Sequence, residues 1–333
     1  MSDSSFPKTR LRRLRKNKKI RELLQEIRLS ASDLIAPVFV QEGLSKPENI
    51  ESLPGIMRLP LEQVTNEVRE IASLGIPAVI VFGIPSKKDD LGTPAFDDNG
   101  IVQRAVSLIR KEMQDDIAIV TDVCLCQYTT KGHCGLVNDG TIDNDRSTET
   151  LAKIAVSQAR AGADIVAPSA MMDGQVKAIR QGLDDNGFND VAIMSYSAKH
   201  ASPLYAPFRD AAHSAPKFGD RKSYQLSYAN PNEAIREIEL DINEGADIVM
   251  VKPAIAYLDL IYMAKQMFHV PLAAYSVSGE YALVKAAAKQ GMIDENAVIL
   301  ELLTSIKRAG ADIIITYFAK QAASVLKSST LKS

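Results

Sequence analysis

The chain has 333 residues, a formal net charge of −2 and 46% apolar residues. That length suits one large domain, and the near-zero charge gives no argument for nucleic acid or a membrane surface as partner. No apolar run approaches the ~18 residues a transmembrane helix needs, and the N-terminus lacks a signal-peptide core, so a cytoplasmic location is expected.

Residues 1–28 stand apart. Lys8, Arg10, Arg12, Arg13, Arg15, Lys16, Lys18, Lys19 and Arg21 form a basic tract with no acidic residue among them. Such a run is commonly a solvated tail, and the rest of the chain offers no groove-reading motif for nucleic acid. An arm that packs on another subunit is the expectation, with residues 29–333 as the catalytic domain.

A series of strand signals follows: Leu34–Val40, Ala78–Phe82, Ala118–Val123, Ile165–Ala167, Ala192–Tyr196, Ile248–Val251, Leu272–Tyr275 and Ile313–Thr316. Most are separated by stretches with helical spacing, such as Ile154, Ser157, Gln158 and Ala161. One junction recurs three times, as Ala161-Gly-Ala-Asp-Ile165, Glu244-Gly-Ala-Asp-Ile248 and Ala309-Gly-Ala-Asp-Ile313. Its glycine can take the left-handed conformation that ends a helix before the chain enters a strand. Eight βα units predict a closed TIM (β/α)8 barrel. An open doubly wound sheet would carry a glycine-rich phosphate turn after the first strand, and Gln41-Glu-Gly-Leu-Ser45 is not one. The connection from His200 to Asn230 is long, with little periodicity, and is expected to be a lid over the barrel mouth. Helical spacing resumes over Pro231–Glu244.

The chemistry-bearing residues gather at strand ends. Lys252 closes the apolar run Ile248–Val251 just before Pro253, where a barrel keeps its catalytic groups. One such lysine is ordinarily a snorkelling side chain. A second, Lys199, ends Ala192-Ile-Met-Ser-Tyr-Ser-Ala-Lys199, and two in one barrel suggest amine chemistry. A free lysine titrates near ~10.4, so a nucleophilic amine requires mutual repulsion and apolar walls. If Asp122-Val-Cys-Leu-Cys126 stays extended, alternation puts Asp122, Cys124 and Cys126 on one side of the chain. With Cys134 they make all three cysteines of the chain, too few for a paired disulfide framework and clustered as metal ligands are. Three thiolates with an open fourth position describe a zinc site able to hold water or substrate. His133 suits a tight turn as well as a fourth ligand and is left out. Arg209 and Arg221 lie in the expected lid, where their forks would suit a carboxylate. Ser278 and Tyr317, also at strand ends, could donate hydrogen bonds to a similar anion.

Four stretches carry a closer resemblance: Met194-Ser-Tyr-Ser-Ala-Lys-His200, Met250-Val-Lys-Pro-Ala254, Asp122-Val-Cys-Leu-Cys-Gln-Tyr-Thr-Thr-Lys-Gly-His-Cys-Gly135 and Gly219-Asp-Arg-Lys-Ser-Tyr-Gln225. From about Arg10 to Tyr317 the chain resembles the porphobilinogen synthases, also called 5-aminolevulinate dehydratases, of the zinc-cysteine type. The resemblance implies a barrel with an N-terminal arm embracing a neighbour in a homo-octamer. It implies a lyase that condenses two 5-aminolevulinate molecules to porphobilinogen in tetrapyrrole (heme, porphyrin) biosynthesis. Lys252 would form the Schiff base to the first-bound substrate, which becomes the propionate side, and Lys199 the second, on the acetate side. Cys124, Cys126 and Cys134 would bind catalytic zinc, and Asp122 would assist proton transfer. Arg209 with Arg221 would clamp the acetate-side carboxylate, and Ser278 with Tyr317 the propionate-side one. Glu237 matches an allosteric magnesium ligand found in some relatives. The chain departs from many relatives at Ala170, where they carry aspartate.

Two readings of other classes remain open on sequence. A class I aldolase would use one Schiff-base lysine and no thiolate zinc. A non-catalytic metal-responsive binding protein would account for the cysteines and the basic arm while leaving both lysines idle.

Overall fold

A computed structural model describes residues 8–331. The expected barrel is present. Its strands are β1 (Leu34–Gln41), β2 (Ala78–Ile84), β3 (Ala118–Val123), β4 (Ile165–Pro168), β5 (Ala192–Lys199), β6 (Ile248–Lys252), β7 (Leu272–Ser276) and β8 (Ile313–Thr316). All pair in parallel in chain order, and β8 closes on β1 through Leu34 opposite Ile314 and Ile35 opposite Ile315. Two short strands, Glu48–Asn49 and Met57–Leu59, extend the sheet outside the barrel beside β1. The strands are buried on both faces, which is why they read as continuous runs of Val, Ile, Leu and Ala.

Six strands run past the apolar stretches that announce them, each at its mouth end. The sixth reaches Lys252 and the fifth Lys199. Apart from Gln41 these added residues are buried as well, so a strand's end is set by where a neighbouring strand stops supplying ladder partners and not by where apolarity stops. Among the described residues no helix is long and apolar enough to cross a membrane.

The recurring Gly-Ala-Asp junction acquires a physical reason. Gly162, Gly245 and Gly310 sit at φ of 109°, 105° and 124° after α3 (Asn144–Ala161), α5 (Pro231–Glu244) and α8 (Glu295–Ala309). The aspartate that follows accepts a hydrogen bond from the first turn of the neighbouring strand. Asp164 takes the N–H of Ile119 at 2.7 Å, Asp247 that of Ile193 at 2.8 Å, and Asp312 that of Leu272 at 2.9 Å. These edge donors at the bottom of the barrel would otherwise lack a ladder partner. A basic side chain from an earlier, neighbouring helix lies over each glycine: Arg110, Arg180 and Lys265. A Cβ at Gly310 would stand 2.7 Å from that of Lys265.

The remaining barrel helices are α1 (Val64–Ser73), α2 (Ile101–Met113), α4 (Gln175–Asp185), α6 (Leu258–Met267), α7 (Ser278–Lys289) and α9 (Ala319–Leu331). The segment 200–230 is more ordered than its composition suggests. It holds a 3-10 turn at Pro203–Tyr205 and a helix at Ala206–Ala211, and it pairs with the end of β5 through His200 and Leu226. Two prolines and short lengths hide these turns from a periodicity reading. Of the basic arm, residues 1–7 lie outside the described residues. Leu11–Arg15 forms a 3-10 turn and Lys18–Leu23 a short helix, neither with a buried residue.

Candidate active site

The two lysines meet across adjacent strands. Lys252 of β6 is the register partner of Lys199 of β5, so both project at the same level of the mouth. Each is buried, at 6% and 5% exposure. The Lys252 ammonium position lies 4.1 Å from the Tyr275 ring centre, 4.8 Å from Tyr196, 5.3 Å from Tyr205 and 5.4 Å from Phe208. Aromatic faces attract a cation by about 0.5–2 kcal/mol, less than the hydration a buried ammonium loses. Burial, followed by repulsion from Lys199, accordingly brings Lys252 down to about 7. Lys199 donates to the carbonyl oxygen of Ser169 and lies 5.5 Å from the Tyr196 ring centre. The segment with Ala170 therefore touches Lys199 through its backbone, a contact that a change of side chain at 170 does not remove.

Asp122, near the end of β3, shares this pocket. Burial raises its carboxyl above the usual range, opposed by Lys199, by a Ser169 hydrogen bond and by Lys252. Gln127 donates to it at 3.4 Å. A buried carboxyl that feels both lysines is placed to pass protons between substrate and amines.

The thiols converge, by a route different from the expected one. β3 ends at Val123, and Leu125 then accepts from the N–H groups of Tyr128 and Thr129, so the chain turns instead of staying extended. The turn, with the return at Cys134, brings the three sulfurs within 4.8 Å of one another, all buried. Cys124 and Cys126 sulfurs are 3.4 Å apart. Three converging buried sulfurs with no carboxylate or histidine among them fit a soft divalent ion. His133 points elsewhere, pairing with the Tyr224 hydroxyl at 3.0 Å and the Phe218 carbonyl at 3.1 Å.

The segment 200–230, expected from the sequence to be a lid, lies directly on this cysteine loop. Arg221, 5% exposed, donates to the carbonyls of Gly132 at 3.0 Å and Ser214 at 2.5 Å. Burial alone would lower it, yet Cys134 and Cys126 hold it above its ordinary value. Arg209 is only half-buried and is lowered by that burial and by repulsion from Arg221. Two guanidinium groups held close, each with a buried and unpartnered Nε, make a site for an anion. Gln225 was not anticipated. Both its side-chain amide atoms are buried without a partner, its backbone N–H donates to the Arg221 carbonyl at 2.9 Å, and its side chain lines the cavity that Glu237 shares.

Ser278 opens α7, and its hydroxyl accepts from the Phe208 N–H at 3.1 Å and donates to the Leu204 carbonyl at 3.2 Å. Ser278 thus touches the base of the segment 200–230. Tyr317 accepts from the Tyr275 hydroxyl at 3.4 Å, which ties it to the ring nearest Lys252. Glu237 stands apart from the lysines. It lines a cavity of about 740 Å³ between the lid and α5, together with Asp173, Glu233, Asp241 and Glu244. Burial and then these acidic neighbours push it up to about 7.

With this geometry in hand, comparison with known proteins is informative. A sequence profile described as delta-aminolevulinic acid dehydratase matches residues 8–325. The delta-aminolevulinic acid dehydratase of Methanothermus sociabilis is 56% identical over 316 residues, covering 95% of this chain and 98% of that protein. The one from Bacillus subtilis strain 168 is 55% identical over 314 residues, covering 94% and 97%. Among solved structures, the Toxoplasma gondii ME49 delta-aminolevulinic acid dehydratase (porphobilinogen synthase), in complex with its reaction product porphobilinogen, superposes with a TM-score of 0.93. It is 43% identical, covering 95% of this chain and 91% of that one. Profile, relatives and fold agree over nearly the whole chain, which belongs to the delta-aminolevulinic acid dehydratase family.

Proposed function

We propose that this chain is a hydro-lyase that condenses two 5-aminolevulinate molecules to porphobilinogen with loss of two waters, in tetrapyrrole biosynthesis. The observation that carries this is the register pairing of two buried lysines at one barrel mouth. An aldolase needs only one of them, and a binding protein neither.

Lys252, neutral in about half of molecules at pH 7, attacks the keto carbon of the first substrate, and one water leaves as the Schiff base forms. Lys199 does the same with the second. Each iminium acidifies the neighbouring C–H, so a carbon nucleophile can form on one substrate and attack the other. Closing the ring returns both lysines as free amines, which leaves two waters released overall. Asp122 takes and returns protons between the two. Arg209 and Arg221 hold the acetate-side carboxylate; Ser278 and Tyr317 hold the propionate-side one. Fixing both substrates turns a bimolecular condensation into an oriented intramolecular one.

Cys124, Cys126 and Cys134 are proposed to hold Zn2+, which when bound supplies Lewis-acid polarisation of a substrate oxygen. Glu237 is proposed as an anchor for Mg2+, since the ion binds through one or two carboxylates while keeping several waters, and the acidic crowd around Glu237 would welcome it. The exposed leucines of the arm, Leu11, Leu14, Leu23 and Leu24, support its packing on another copy in a homo-octamer. Reduced thiols at the metal site fit a cytoplasmic location.

Borohydride reduction in the presence of 5-aminolevulinate, followed by peptide mass spectrometry, tests the reading. Adducts are expected at both Lys199 and Lys252. An adduct at one lysine alone would return the aldolase reading, and none would leave a binding protein.

A further inference from the structure

Glu280 is a buried carboxylate to which the chemistry above gives no part. It is 6% exposed and forms no ion pair among the described residues. Its Oε1 accepts from the N–H groups of Ala254 at 3.1 Å and Ile255 at 2.7 Å, and its Oε2 from that of Val277 at 2.7 Å. Ser276 adds a side-chain hydrogen bond, yet burial still pushes the group up to about 7. A buried acid with no ion pair is costly even when hydrogen-bonded, and an apolar or amide side chain would avoid that desolvation.

The donors explain the choice. Ala254 and Ile255 directly follow Lys252-Pro253, and Val277 directly precedes Ser278. Two oxygens accepting from two separate loops bind those loops to each other. A glutamine could satisfy only one side, because its amide NH2 would face a backbone N–H on the other. The neighbouring Gly279 shows how tightly the second loop is seated, since a Cβ there would stand 2.7 Å from the Cα of Leu204. One residue therefore ties the strand end carrying the Schiff-base amine to the helix start carrying the carboxylate-holding hydroxyl.

We infer that Glu280 is a positioning residue that sets the distance between Lys252 and Ser278, and so makes the first subsite selective for a keto acid over a ketone without a carboxylate. This rests on the roles proposed above for Lys252 and Ser278. The physical principle is preorganisation: two anchors help one small ligand only when their spacing matches it to a fraction of an ångström.

Levulinate and 2-pentanone share a five-carbon ketone chain and differ in the carboxylate. Borohydride trapping at Lys252 as a function of ligand concentration compares them. The wild type should be half-labelled at a much lower concentration of levulinate than of 2-pentanone. Glu280→Gln should raise the levulinate value tenfold or more and leave 2-pentanone within about twofold. Adding Ser278→Ala to Glu280→Gln should then cost little further, because the distance no longer matters once the hydroxyl is gone. Should Glu280→Gln not fold, Glu280→Asp, which keeps the charge but shortens the reach, should show the same selective loss to a smaller degree. Equal weakening of both ligands would make Glu280 a purely structural acid, and no change in either would also overturn the inference. A wild type that favours neither ligand, or does not label at Lys252, would sink the proposed function itself, and this inference with it.

Discussion

The chemistry of this barrel turns on one amine being neutral. Lys252 sits near 7, so the reactive fraction should be about one-tenth at pH 6 and about nine-tenths at pH 8. The single-turnover rate of levulinate labelling at Lys252 should therefore climb about tenfold across that interval and then flatten. Replacing Lys199 with Met removes a repulsion that favours the neutral form, so the inflection should move to higher pH. A profile unmoved by Lys199→Met would mean the two amines do not feel each other. Lys252→Met should abolish turnover with the fold intact by circular dichroism, since a thioether cannot form an iminium; activity above about one per cent would sink the assignment. At Arg221 the two-pronged geometry matters as well as the charge. Arg221→Ala should lose on the order of 2 to 4 kcal/mol, about thirtyfold to thousandfold in kcat/KM, and Arg221→Lys should lose less but remain impaired.

At the scale of elements, the lid and the cysteine loop behave as one unit. Arg221 holds Gly132, the Cys134 N–H reaches the Tyr224 hydroxyl at 3.4 Å, and Lys217 donates to Lys131 at 3.0 Å. Gly132 has a φ of 71°, and a Cβ there would collide with the Ala215 carbonyl. Chelating the metal should therefore loosen the lid as well as lower activity. Limited proteolysis should cut between residues 213 and 223 faster after chelation, while the far-ultraviolet spectrum stays that of a folded barrel. Cleavage that is indifferent to metal, or a barrel that melts when the metal is removed, would contradict this coupling. The barrel bottom makes a separate prediction. Gly310→Ala places a Cβ at a φ of 124° and against Lys265, so it should destabilise by roughly 1 to 3 kcal/mol, seen as a lower denaturation midpoint with unchanged KM.

For the whole molecule, the arm is the part that a single barrel does not explain. Four of its leucines are exposed, and its helix Lys18–Leu23 is too short to be stable by itself. Ordering it on a neighbouring subunit would remove both liabilities. Deleting residues 1–28 should shift the sedimentation profile to smaller species before it changes the thermal unfolding of the barrel. An unchanged profile would leave the arm a solvated tail.

Sequence by itself determined the barrel, because eight runs buried on both faces must be continuously apolar and three helices end on the same glycine for the same steric reason. It also marked Lys199 and Lys252, since a charge at the end of such a run has nowhere to go but the mouth. Tertiary structure alone decided what these groups meet. That Lys252 stands opposite Lys199 is a matter of register between strands more than fifty residues apart, which no local pattern carries. The thiols converge because of a turn at Leu125, not through alternation along an extended chain. Gln225, the aromatic rings around Lys252 and the three backbone bonds of Glu280 were illegible for the same reason. Their roles arise from partners brought near only when the barrel closes, and a buried polar group is recognisable only once its surroundings are known.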